Sequence, residues 1–132
     1  MAKRPVSKVT DAELRVLEAL WELGPSTIRR LTDHLYAGGG QSSYGTVQKL
    51  LERLEEENPP LVARDRSSLS HVFVAALSRD EFVGGQLQGV ADRLCGGSVA
   101  PLLTHLINSG SLTETERKEL WRLLNAHRKS KS

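Results

Sequence analysis

At 132 residues the chain is the size of one domain, or of one small domain with an appendage, which excludes a barrel enzyme and a two-lobed nucleotide enzyme. Hydrophobic residues make up 39% and charged residues 26%, a globular rather than a disordered balance. Lys and Arg total 18 against 16 acids, so the net charge of +2 does not by itself designate nucleic acid; a basic surface has to come from arrangement.

A capping box opens the first predicted helix. Thr10 stands three residues before Glu13, and Asp11 adds negative charge to the first turn. Leu14, Leu17 and Trp21 follow at helical spacing with Leu20 beside them, and Gly24-Pro25 stops the run. Ser26 or Thr27 can cap a second helix with an apolar face of Ile28, Leu31 and Leu35, leaving Arg29 and Arg30 off that face. The triple glycine Gly38-Gly39-Gly40 ends it. Ser42 and Ser43 offer a cap for a third helix, in which Val47, Leu50, Leu51 and Leu54 share one side. The other side carries Gly45, Gln48, Lys49, Glu52, Arg53 and Glu56.

Pro59-Pro60 forbids continuation. Two β-prone runs, Leu61 to Arg64 and Ser70 to Val74, flank a polar link and predict a hairpin. A second capping box, Ser78 with Glu81, opens a helix with Phe82, Leu87, Val90, Ala91 and Leu94, weakened by Gly84, Gly85 and Gly89 and ended by Gly96-Gly97. Ser98 starts another, with Val99, Leu102, Leu103, Leu106 and Ile107 on one face, up to Ser109-Gly110. A third box, Thr113 with Glu116, opens the last, with an apolar seam of Leu120, Trp121 and Leu124 and a basic tail of Arg128, Lys129 and Lys131.

The fold expected is mainly α with a small β-hairpin. Residues 1–77 form a winged helix-turn-helix head, and residues 78–132 form a helical half. A segment as small as the second half rarely buries enough apolar surface alone, so a second copy of the chain is its simplest partner. Leu102, Leu103, Leu106, Ile107, Leu120, Trp121 and Leu124 are the candidate dimer contacts.

Nothing in the chain resembles catalytic machinery. His34, His71, His105 and His127 are scattered, none with another His or Cys at ligand spacing. There is no G-x-S-x-G, phosphate loop or dinucleotide fingerprint, and the triple glycine follows a helix rather than a strand. Cys95, the one cysteine, reads as a small buried residue; an internal disulfide is excluded, which fits a reducing cytosol. Glu55-Glu56-Glu57 reads as a solvated helix end. No enzyme, cofactor or metal is expected. Met1 to Lys8 is basic with no apolar run behind it, and charges interrupt every long apolar stretch, so neither a signal peptide nor a membrane span is expected.

In a helix-turn-helix the second helix of the motif enters the major groove by its N-terminal part. Here that part carries Ser43, Tyr44, Thr46, Gln48 and Lys49, while the far end is acidic. Gln48 suits adenine, and Lys49 guanine or a phosphate. Gly45 permits close approach. Arg53, and Arg64 and Arg66 on the wing, are candidate phosphate ligands, with the wing serines as hydroxyl donors. Arg29, Arg30, Lys3, Arg4 and Lys8 add positive charge to the same half. The competing reading is a winged-helix module that binds protein, which the near-zero net charge and the glutamate cluster keep open.

The run Val9-Thr10-Asp11-Ala12-Glu13-Leu14 through Leu20-Trp21, then Ser43-Tyr44-Gly45-Thr46-Val47 with Leu50-Leu51 and Arg53-Leu54, resembles the penicillinase-repressor (BlaI/MecI) family. The junction Leu94-Cys95-Gly96-Gly97-Ser98 is similar too, and the likeness runs from about Val9 to His127. The resemblance implies a cytoplasmic homodimeric repressor of a palindromic operator, with Thr46, Gln48 and Lys49 facing the groove and Arg53 near the phosphates. It also implies a sensor-protease pathway that cuts the dimerisation half between an Asn and a Phe. The aligned residues here are His105 and Leu106, which depart from that pair. The C-x-C motifs of copper-responsive relatives are missing, and Asn58-Pro59-Pro60 replaces a shorter turn.

Overall fold

The structure is a computed structural model that describes residues 9–130. Lys3, Arg4, Lys8 and Lys131 lie outside the described residues, as does the side chain of Lys129. The elements in order are α1 (Asp11–Leu23), β1 (Ser26–Thr27), α2 (Ile28–Leu35), α3 (Gln41–Glu56), β2 (Val62–Asp65), β3 (Val72–Ala75), α4 (Arg79–Leu94), α5 (Ala100–Asn108) and α6 (Glu114–Ser130). The chain is therefore mainly helical with a small antiparallel sheet, as expected.

Local capping chemistry sets the helix starts. Thr10 Oγ1 accepts the Glu13 amide at 3.1 Å while Glu13 Oε1 accepts the Thr10 amide at 3.0 Å. The same reciprocal pair opens α4 through Ser78 and Glu81, and α6 through Thr113 and Glu116. At α2 the choice between two caps falls to Thr27, whose Oγ1 accepts the Arg30 amide at 3.1 Å. Ser26 is buried and donates instead to the Gly24 carbonyl at 2.8 Å.

The start of α3 differs from expectation. Gly40 is the cap and neither Ser42 nor Ser43 serves; both lie inside the first turn. The backbone closes this turn without a side chain. Gly38 takes a left-handed φ of 77°, Gly39 donates to the Tyr36 carbonyl at 2.7 Å, and the Gly40 carbonyl accepts from Ser43 and Tyr44. Ser43 is packed so closely over Gly39 that a β-carbon there would sit 2.6 Å from its Oγ, which is why a glycine stands at this turn.

A third strand joins the hairpin. The sheet order is β1-β3-β2, with Ser26 opposite Phe73 and Arg64 opposite Phe73 on its other side. β2 runs one residue later in the chain than expected, and β3 starts two residues later and ends one later. Leu61 precedes β2, donating to the Leu54 carbonyl at 3.0 Å and accepting from Ala76 at 2.9 Å.

Two compact units divide the described chain, one running to Gly89 and one starting at Val90. The core of the first is Val16, Leu17 and Leu20 of α1, Leu31 of α2, Val47, Leu50, Leu51 and Leu54 of α3, with Leu61, Val62, Phe73 and Phe82. Each fully buried Leu or Val contributes roughly 1.5–3 kcal/mol. Leu14 and Trp21, expected on the core face of α1, lie half-buried at its edge, as do Ile28 and Leu35 of α2.

In the second unit, Gly96 and Gly97 take left-handed φ values of 60° and 94° and end α4, the Gly97 amide donating to the Ala91 carbonyl at 2.9 Å. Cys95 is half-buried rather than buried. No residue of α5 is buried. No helix among the described residues is long and apolar enough to cross a membrane.

Candidate nucleic-acid interface

The four buried positions of α3 anchor one side in the core and turn Gln41, Ser42, Thr46, Gln48, Lys49 and Arg53 outward to solvent. Ser43, Tyr44 and Gly45 are half-buried. Thr46 Oγ1 donates to the Ser42 carbonyl at 3.0 Å, so this hydroxyl retains acceptor capacity rather than a free proton. The Arg29 guanidinium lies 5.7 Å from the Tyr44 ring centroid, which brings a cation from α2 to the start of α3. Arg15 lies 5.9 Å from the ring of Tyr36, near the turn before α3.

At the acidic end of α3, Glu56 is exposed as expected, but Glu55 is not simply solvated. Glu55 is a hub: its Oε1 accepts from Arg64 Nη2 at 2.7 Å, and its Oε2 is 3.8 Å from Arg66 Nη2. Both cations come from the wing, so the carboxylate nearest the wing is neutralised. Arg64 and Arg66 are not equivalent. Arg64 is 15% exposed and faces inward, its guanidinium 4.7 Å from the Phe73 ring centroid; Arg66 is 61% exposed. Of the two candidate phosphate ligands on the wing, Arg64 thus lies mostly inside and Arg66 mostly outside.

The wing tip is ordered by its own polar groups. Asp65 accepts the Ser67 amide at 2.9 Å, and hydrogen bonding to Ser67 holds its carboxyl below the usual value of 3.8. Ser68 Oγ donates to the Ser70 carbonyl at 2.8 Å, and Leu69 stands fully exposed.

The remaining candidates lie in the second unit. Leu102, Leu103 and Leu120 are half-buried. Leu106, Ile107, Trp121 and Leu124 are 42%, 50%, 68% and 55% exposed. A groove of about 600 Å³ runs between α5 and α6, lined by Leu103, Ile107, Leu112, Leu120, Trp121 and Leu124 among others. His105 and Leu106 are both exposed, and the bond between them lies inside α5. No cluster of His, Cys, Asp or Glu able to hold a metal ion occurs among the described residues.

Residues 9–126 match the penicillinase repressor family. The chain belongs to that family. Penicillinase repressors are transcriptional regulators, not enzymes, and this chain is a transcriptional repressor of that type. Two proteins described as transcriptional regulator BlaI, from Mycobacterium tuberculosis strains CDC 1551 / Oshkosh and ATCC 25618 / H37Rv, are each 30% identical to it over 118 residues, covering 88% of this chain and 82% of theirs.

Two participants in this repressor's wing escaped the sequence reading. Glu55 and His71 both meet Arg64, His71 Nδ1 lying 3.4 Å from Arg64 Nη1. One signal was present in the strand itself. Successive strand side chains alternate faces, so Arg64 shares the inward face with buried Val62. Its partners, by contrast, sit on other elements, where no local spacing reveals them.

Proposed function

We propose that the chain represses transcription in the cytoplasm by binding a palindromic operator as a homodimer. In this reading α3 lies in the major groove, with Thr46, Gln48 and Lys49 facing the groove, Ser43 and Tyr44 at its N-terminal end and Arg53 near the phosphates. Arg66 and the wing serines approach phosphates. The observation that carries it is the graded solvent face of α3: uncharged and basic groups occupy its first half, and the wing arginines neutralise Glu55 at its far end.

The exposed leucines and Trp121 of α5 and α6 support pairing through the second unit, because a two-fold contact covers the same patch on both copies. Two linked heads then make the second half-site contact effectively intramolecular. A sensor-protease pathway would act at the bond between His105 and Leu106. Cutting there requires α5 to unwind locally, and it would sever the α6 part of the pairing surface from the head.

The experiment is recovery of bound genomic fragments, followed by salt titration of affinity for the recovered site. A palindrome, with affinity falling steeply as salt rises, supports the reading. Salt-insensitive binding, or no enriched palindrome, would favour a winged-helix module that binds protein.

A further inference from the structure

Arg64 is held from three sides. Its Nη2 donates to Glu55 on α3 at 2.7 Å, its Nη1 lies 3.4 Å from His71 Nδ1 beside β3, and its guanidinium stacks 4.7 Å from the centroid of fully buried Phe73. Its Nε is buried without a hydrogen-bond partner. Buried polar groups normally find partners, so this unpaired donor marks a guanidinium held inside by its other contacts. Glu55 divides its two oxygens unequally. Oε1 is committed to Arg64, whereas Oε2 stands 3.8 Å from the exposed Arg66.

We propose that Arg64 is a positioning residue, not a phosphate ligand: it clamps the wing to the end of α3 and thereby sets where Arg66 stands relative to Gln48 and Lys49. The proposal rests on the operator-binding reading above. Arg64 does two things there. Its planar fork and stacked face fix the angle between β2 and α3, which a flexible ammonium cannot do. Its charge also cancels Glu55, so Arg66 can leave Oε2 for a phosphate without exposing a bare carboxylate to the duplex. The site is thus prearranged: one arginine stays with the protein and the other is exchangeable.

The test uses the full chain, the recovered operator and a random duplex of the same length. The decisive variant is the charge-balanced pair Glu55→Gln with Arg64→Met, which removes the clamp while leaving net charge unchanged. Operator affinity should fall about tenfold or more, random-duplex affinity should stay within about twofold, and the salt dependence of random-duplex affinity should keep its wild-type slope. Arg66→Ala should instead weaken both duplexes and lower that slope by about one. Arg64→Lys keeps the charge without the fork; it should lose operator affinity with the random-duplex slope intact, and it serves as the readout if the double variant does not fold. A double variant, or a folded Arg64→Lys protein, with wild-type operator affinity overturns the proposal. So does a random-duplex slope lowered by about one in the double variant, the mark of a phosphate contact made by Arg64 itself. A wild-type protein with a flat salt response overturns the operator-binding reading itself, and the role of Arg64 with it.

Discussion

Trp21 of α1 donates its indole N–H to the backbone carbonyl of Leu77 at 2.9 Å, and its ring meets that of Phe82 at a centroid distance of 5.6 Å. These two contacts tie the end of the wing and the first turns of α4 to the helical head. Arg79 completes the arrangement, its guanidinium 5.2 Å from the Trp21 ring.

A head fragment ending at Leu77 should therefore be less stable than one ending at Gly89. The shorter fragment lacks Phe82, which is 7% exposed and packs in the head core. Phe82→Ala in the full chain should destabilise the first unit by about 3 kcal/mol, the lower end of the range for a buried Phe. Urea unfolding of both fragments and of the variant measures this. Equal midpoints for the two fragments would show that α4 contributes nothing to the head.

Gln48→Ala and Lys49→Ala should each weaken operator binding by roughly 1–3 kcal/mol. Both side chains are exposed, so thermal unfolding should be unchanged within about 0.5 kcal/mol. Anisotropy titrations against operator, read beside melting curves, separate the two effects. A folded Lys49→Ala protein with wild-type affinity would remove α3 from the role of reader.

Gly84→Ala should stabilise α4 by about 0.5–1 kcal/mol, because an interior helical glycine costs that much relative to alanine. Gly84 is exposed, its φ is not left-handed, and an added β-carbon would meet nothing within 4 Å. A higher melting temperature is the expected result; a lower one would mean that another surface needs the glycine.

Leu106→Asp should weaken self-association by several kcal/mol, since pairing would bury an unpaired charge. Leu106 is 42% exposed in the single chain, so the substitution should spare the fold. Sedimentation of wild type and variant at micromolar concentration is the measurement. A wild-type monomer with full operator affinity would contradict pairing through α5 and α6.

The helices and their order were legible in the residues alone, because the chemistry that starts and stops a helix is local. Thr10 with Glu13, Ser78 with Glu81 and Thr113 with Glu116 are each three residues apart, and all three boxes form. The apolar face of α3 was equally plain, since its four buried residues recur at helical spacing. What tertiary structure decided depends on partners far along the chain. β1 has two residues and no strand signal of its own; it exists because Ser26 and Thr27 meet Phe73 and Val72. The cap of α3 passed from serine to backbone because three consecutive glycines fold back on Tyr36. Arg64 and Arg66 are the same residue type two positions apart, and composition cannot rank them. Strand alternation puts Arg64 on the face of Val62, but what holds it there is Glu55, from the helix before the wing, and Phe73, from the wing's second strand, while Arg66 beyond the end of β2 stays at the surface.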